Sequence, residues 1–195
     1  MNHSQQFQNA FERRGFAFDR GLLAREETWS VADALRHGHE VEAASTLSRH
    51  RGVAAMSSQL IGSSLLLTDC AVDQSPAKRG DFAAKLIVAI FLGDLDPCEC
   101  ALLVAPGSHL VARPAMPGDL EIYLDWMASG CELEMLSGPA GSVVFLDPRL
   151  FFMVSRAPGA QSRTILFLSY GATSGDRPWL DEATLWPPAH AWTAG

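Results

Sequence analysis

Apolar residues recur at helical intervals in the first sixty positions of the chain. Phe7, Ala10 and Phe11 lie three and one residues apart before Gly15 interrupts the pattern, and this spacing places them on one face of a helix. The same reasoning predicts a weak point in a later helix at Gly52. Helices are predicted at residues 7–14, 25–35 and about 40–60, with a short extended piece at 16–18.

The pattern changes after residue 62, where short β-branched and aromatic runs alternate with Gly, Pro and Asp. Such runs are typical of strands in an antiparallel sandwich or barrel. An inserted helix is predicted at 118–127, and the Trp- and Pro-rich tail from 172 is expected to pack as an irregular strap. Strands are predicted at residues 64–68, 86–92, 102–105, 132–136, 142–146 and 164–170.

Composition narrows the possible partners. The chain has 195 residues, of which 48% are apolar, enough for one domain with a substantial core. Its formal net charge is −7 and its basic residues are scattered, which argues against binding to nucleic acid. The longest apolar run, at 86–92, is too short to span a bilayer. A cytoplasmic location and no membrane association are therefore expected.

The cysteines and the paired histidines are only weak evidence for a metal-binding site. Four cysteines in a chain expected to be cytoplasmic favour thiols over disulfides. Cys98 and Cys100 lack the second ligand pair that structural zinc needs. His37 and His39 lie at a predicted helix end, and exposed surface histidines are the commoner interpretation.

Two stretches, residues 86–110 and 141–170, resemble the phytanoyl-CoA dioxygenase family of Fe(II)/2-oxoglutarate enzymes. The first contains the turn Pro106-Gly-Ser-His109. The second begins GSVVFLD and contains Arg163 directly before the predicted strand at 164–170. The resemblance implies an α+β fold with a double-stranded β-helix core, a cupin-like jelly roll, and N-terminal helices packed on one sheet. It implies one domain over residues 1–195, helical at 1–62, a β-sandwich at 63–171 and a strap at 172–195.

The last iron ligand that the resemblance implies is missing. The family carries a His eleven residues before the Arg that binds 2-oxoglutarate, and here that position is Phe152. A phenyl ring has no lone pair for a metal, and the neighbouring Phe151 and Met153 suit ferrous iron no better.

The first pair of ligands, a His-x-Asp in the family, is also altered. Ala71-Val72-Asp73 is the best formal match, with Ala in place of His and the Asp retained. Alternatively, the whole segment is deleted, because the stretch from 61 to 86 is short, and Asp73 is then only a loop acid. No metal ligand is predicted in either case, and Asp73 is a candidate residue for binding a small-molecule ligand.

Arg163 remains as the family's carboxylate-binding residue, and a guanidinium suits bidentate recognition of a carboxylate. Ser155 and Ser169 are predicted to add hydroxyl groups to the same pocket. The alternative is that Arg163 pairs with an internal acid such as Asp147 and serves folding alone.

The remaining site residues come from the turn and the aromatic positions. Ser108 and His109 are candidates for polar pocket groups, although a turn histidine satisfied by backbone is an equal alternative. Phe152 and Phe167, with Phe145, Phe151 and Met153, are predicted to line an apolar cavity, or else simply to fill the core.

Three functions are compatible with these residues. The preferred hypothesis assigns His109 and Arg163 to catalysis without iron, as an isomerase, cyclase or lyase, or to binding of a small organic molecule, with no cofactor. The second is a non-catalytic partner subunit of an active dioxygenase. The partners expected are a small-molecule ligand or substrate and either further copies of this chain or a related dioxygenase. The third is an Fe(II)/2-oxoglutarate hydroxylase with displaced ligands, the one case in which both cofactors are expected.

Overall fold

Four helices and a short strand form the N-terminal third. The computed structural model describes residues 3–61, 65–72, 84–98, 100–110, 132–157 and 165–172. Helix α1 ends at Arg14 because Gly15 adopts a left-handed conformation (φ 81°) and donates its N–H to the Phe11 carbonyl at 2.8 Å. The elements are α1 (His3–Arg14), β1 (Phe16–Asp19), α2 (Arg25–Arg36), α3 (Glu40–Ser48) and α4 (Arg51–Ile61).

The third predicted helix is two helices, which corrects the sequence prediction. The chain turns at Arg49 and His50, just before Gly52. A Cβ on Gly52 would lie 3.0 Å from the Leu22 side chain, so the small residue lets α4 approach the segment before α2.

Seven strands follow in the rest of the described chain. Six correspond to predicted strands, although their ends differ by a few residues. β7 was not predicted, because its segment was considered only as a ligand motif. The strands are β2 (Leu65–Val72), β3 (Ala84–Phe91), β4 (Cys100–Val104), β5 (Glu134–Leu136), β6 (Val143–Leu146), β7 (Phe152–Arg156) and β8 (Ile165–Ala172).

The strands form two antiparallel sheets. The larger sheet has the order β1-β6-β3-β8-β2, and the smaller has the order β5-β4-β7. In the smaller sheet Leu103 pairs with Met135 on one side and Met153 on the other. Met135 and Met153 are 51% and 39% exposed, so this face of the smaller sheet points outward.

Each face of the larger sheet covers a separate core. Val88, Ile90 and Leu168 face the helices, whereas Ile87, Ala89 and Phe167 face the smaller sheet. Because both faces are covered, every residue from Leu86 to Phe91 in β3 is buried. The mixture of helices and antiparallel sheets confirms the predicted class at that level. None of the described helices is both long and apolar enough to cross a membrane.

Candidate functional site

An aromatic pair joins the two sheets at the position where the resemblance expects the last iron ligand. Phe152 begins β7, is 5% exposed and points into the layer between the sheets. Its ring stacks on Phe167 of β8, with centroids 5.8 Å apart and planes inclined by 26°. The pair fills this part of the layer with carbon atoms.

The residue at the first histidine position of the formal match lies beside the same pair. Ala71 of β2 pairs directly with Phe167 in the antiparallel ladder. It is 3% exposed and belongs to the apolar cluster between the sheets. Ala71 and Phe152, on opposite sheets, therefore both border Phe167.

These residues do not fit a ferrous ion. Iron of this enzyme class is held by two His and one carboxylate, and neither a methyl nor a phenyl group can donate to it. Within the described ranges, no three His, Cys, Asp or Glu side chains come together as a metal site. His37 and His39 are both exposed at the turn between α2 and α3.

Ser169 and Asp69 are polar residues next to the aromatic pair, in the layer between the two sheets. Ser169 lies two residues after Phe167, on the same face of β8, and is 2% exposed. It pairs with Asp69 on β2 and with Ile87 on β3. The Asp69 carboxylate accepts a hydrogen bond from the Cys70 N–H at 2.8 Å, beside an irregularity in the strand register. Ser169 is thus buried beside Phe167, while its predicted role in ligand binding stays a prediction, and Asp69 is an acid that the sequence analysis did not select.

The turn carrying Ser108 and His109 ties β7 to the end of α1. The Ser108 hydroxyl accepts a hydrogen bond from the Phe151 N–H at 2.9 Å, next to Phe152. The Gly107 N–H donates to the Arg14 carbonyl at 2.9 Å. Nε2 of His109 lies 3.0 Å from the Glu12 carbonyl oxygen and therefore carries a proton.

His109 is buried against the helix end. It is 4% exposed, and a Cβ on Gly15 would lie 2.4 Å from its Nδ1. Nδ1 is buried with no hydrogen-bond partner among the described residues. One ring nitrogen is thus satisfied by backbone, as the alternative interpretation expected, and a catalytic role for His109 stays a prediction.

Strand alternation separates Ser155 from the aromatic pair. Along β7, Phe152 and Val154 pack in the layer between the sheets, while Met153 and Ser155 are exposed on the outer face. The predicted hydroxyl therefore lies on the face opposite Phe152. The next inward position is Arg156, which the sequence analysis missed although counting in twos from Phe152 would have found it.

Arg163 and Asp73 lie outside the described residues, so their predicted roles stay predictions. The acid proposed as an alternative partner of Arg163 has another contact: Asp147 accepts hydrogen bonds from Nε and Nη2 of Arg149 at 3.0 and 2.8 Å. Burial alone raises the pKa of Asp147, but the side-chain and backbone hydrogen bonds from Arg149 hold that pKa below its usual value.

Comparison with known proteins identifies the fold. The sequence matches no protein-family model and no curated protein. Solved structures do match: EctD from S. alaskensis with 2-oxoglutarate and 5-hydroxyectoine has a TM-score of 0.72 at 16% identity, over 89% of this chain and 77% of that one. The chain has the fold of an iron- and 2-oxoglutarate-dependent dioxygenase.

Two further matches come from nogalamycin biosynthesis. The α-ketoglutarate-dependent epimerase SnoN has a TM-score of 0.67 at 17% identity, covering 86% of this chain and 80% of that one. The α-ketoglutarate-dependent carbocyclase SnoK has a TM-score of 0.67 at 18% identity, covering 87% and 84%. At such identities the likeness concerns the fold alone.

Proposed function

We propose that this protein is a divergent phytanoyl-CoA dioxygenase-like protein that binds or transforms a small organic molecule between its sheets without iron-dependent oxidation. In this proposal the two sheets form a double-stranded β-helix. The observation that carries it is the pair Ala71 and Phe152, which occupy both candidate histidine positions and border Phe167.

The described residues favour binding of an apolar molecule with a polar group. In this proposal the stacked pair Phe152 and Phe167 forms one apolar wall of the ligand site. Ser169 and Asp69 can fix its orientation by hydrogen bonds, and the covered layer excludes water. Orientation in a dry site suffices for isomerisation or cyclisation of a reactive substrate, and His109 and Arg163 remain the candidates for proton transfer and charge stabilisation.

The neighbours support the choice of a small-molecule role. Two of them are named as an epimerase and a carbocyclase, so the fold accommodates rearrangement of organic molecules. Both are named as α-ketoglutarate-dependent, and the proposal departs from them on that point because Phe152 and Ala71 provide no ligand atoms.

Anaerobic calorimetric titration with Fe(II), with and without 2-oxoglutarate, tests the proposal. We expect no stoichiometric iron binding and no succinate formation when oxygen is admitted. One-to-one binding of Fe(II) together with conversion of 2-oxoglutarate to succinate would establish a hydroxylase with displaced ligands and overturn the proposal.

A further inference from the structure

Two hydroxyl groups are buried without a hydrogen-bond partner between the helices and the larger sheet. Ser57 of α4 is 2% exposed and Tyr170 of β8 is 4% exposed. Neither the Ser57 Oγ nor the Tyr170 hydroxyl oxygen has a partner among the residues that the structure describes. A buried hydroxyl without a partner loses its hydration and gains nothing in return, and folded proteins contain few such groups.

Both hydroxyls lie on the same side of the larger sheet. Tyr170 follows Ser169 on β8, so strand alternation directs it away from the layer between the sheets and into the apolar cluster that faces the helices. Ser57 lies one helical turn after Val53, a member of the same cluster. Helix α4 packs on β3, whose Leu86 pairs with Tyr170. The helix and the sheet therefore enclose both groups.

Packing alone does not account for hydroxyl groups at these two positions. Phe in place of Tyr170 and Ala in place of Ser57 would occupy nearly the same volume and have no polar atom to satisfy. Burial also raises the pKa of Tyr170 above its ordinary value, so this hydroxyl keeps its proton and remains a neutral donor. The layer thus offers one donor and a second hydroxyl to a molecule that reaches it.

We propose that Ser57 and Tyr170 form a binding site for a small neutral alcohol, on the opposite side of the larger sheet from the site of the proposed function. The hydroxyl oxygen of the ligand accepts a hydrogen bond from Tyr170 and donates one to Ser57. Its apolar part lies beside Met56 and Leu60, two half-buried side chains of α4 that pack against the cluster. The unbranched side chain of methionine is flexible, which suits a wall that admits a ligand.

An alcohol fits this layer better than an acid or an amine. Among the described residues, no Asp, Glu, Lys or Arg side chain is buried in the layer between the helices and the larger sheet. A charged ligand would lose its hydration there without gaining a counterion. A neutral hydroxyl group, in contrast, satisfies both protein hydroxyls and loses little hydration.

NMR titration with cyclohexanol, and with the cyclohexylammonium ion as its charged analogue, tests the inference. The chain has two tyrosines, so ¹³C labelling of the tyrosine rings gives two sets of signals, and Tyr170→Phe assigns the set that belongs to residue 170. We expect cyclohexanol to shift the Tyr170 signals until the site is saturated. Cyclohexylammonium should leave these signals unchanged.

Saturation-transfer NMR, which observes the ligand, then compares the variants. Tyr170→Phe and Ser57→Ala should each bind cyclohexanol more weakly, Tyr170→Phe by roughly tenfold because it lacks the donor. The matched control is Ser58→Ala, which removes a hydroxyl from the exposed face of the same helix and should bind as the wild type does. Phe152→Ala, on the other side of the larger sheet, should also bind as the wild type does, so this site and the proposed function can fail separately.

Urea denaturation without ligand distinguishes a ligand site from a site filled by water. If the hydroxyls have no partner, Tyr170→Phe should be at least as stable as the wild type. A loss of stability in this variant, together with no binding of cyclohexanol by the wild type, would identify an ordered water and overturn the inference. Equal binding of the two probes, or unchanged cyclohexanol binding by both Tyr170→Phe and Ser57→Ala, would overturn it as well.

Discussion

Phe152 and Ala71 lie on different sheets, yet both border the ring of Phe167. Strand alternation and strand pairing explain why both side chains reach this ring. Neither side chain has a donor atom, so neither can bind a metal. If Ala71-Val72-Asp73 is an altered His-x-Asp, two substitutions should be enough to rebuild a metal site with the natural Asp73. If the segment is deleted instead, the same substitutions should create no metal site.

We therefore predict that Ala71→His combined with Phe152→His creates a Co(II) site with visible d–d absorption. Either single variant should bind Co(II) weakly, because one added imidazole leaves the ligand set incomplete. Loss of the stacking on Phe167 should also reduce stability by about 0.5–1.5 kcal/mol beyond the lost burial. The control is Asp73→Ala in the double variant, which should abolish the absorption; persistence of the signal would refute the assignment of Asp73.

At the scale of elements, the end of α1 depends on the contact between Gly15 and His109. Gly15 and Gly38 both end helices with nearly equal positive φ angles of 81° and 82°. A Cβ on Gly15 would lie 2.4 Å from Nδ1 of His109, whereas a Cβ on Gly38 would meet nothing within 4 Å. Substitution of Gly38 therefore tests the cost of backbone strain alone, whereas substitution of Gly15 adds the cost of steric overlap with His109.

Gly38→Ala should lower the free energy of unfolding by about 1 kcal/mol, the cost of left-handed backbone for a residue with Cβ. Gly15→Ala should lower it by about 3 kcal/mol, because displacement of the buried His109 ring adds to that cost. Urea denaturation of both variants measures the difference. Equal losses would show that the turn moves away from α1 without penalty.

The turn between β6 and β7 should make stability depend on pH. The hydrogen bonds from Arg149 keep the pKa of Asp147 below its unfolded value, even though burial acts in the opposite direction. A carboxyl with a lowered folded pKa contributes stability above its unfolded pKa, near 4, and that contribution is lost as the pH falls through the folded pKa.

Arg149→Gln should consequently lower the urea midpoint at pH 7 and have much less effect at an acidic pH below the folded pKa of Asp147, where that carboxyl is protonated in both proteins. Because Arg149 is largely exposed, the loss at pH 7 should be small, about 1 kcal/mol or less. Arg36→Gln is the control for loss of a surface arginine. An equal deficit at both pH values would indicate that the hydrogen bonds do not act through the ionised carboxylate.

For the whole molecule, the sequence predicted most elements and the two-part layout of helices followed by sheets. Periodicity is sufficient for this because Phe7 and Phe11 repeat at helical spacing and residues 86–92, which include most of β3, form an unbroken apolar run. It was insufficient at Arg49 and His50, where the chain turns and divides the third predicted helix into α3 and α4 just before the weak point at Gly52.

The site was predicted less completely than the fold. Phe152 and Phe167 lie in the layer between the sheets beside Ser169, and the ligand-binding roles of these residues stay predictions. Ser155 lies on the outer face of β7, which the sequence analysis did not anticipate because this segment was not predicted as a strand. Asp69 was missed because its place beside Ser169 depends on pairing between strands that are far apart in sequence. Such pairings do not appear in local patterns.

The pairing of β1 with β6 also has a consequence for synthesis of the chain. Phe16 is opposite Leu146, and Phe7 of α1 packs edge-on against Phe145 at 5.4 Å. A ribosome adds roughly 130 residues between these partners, which takes on the order of ten seconds. Throughout that interval the N-terminal helices lack the sheet that covers their apolar faces, so the nascent chain presents a binding surface to chaperones until β6 has emerged.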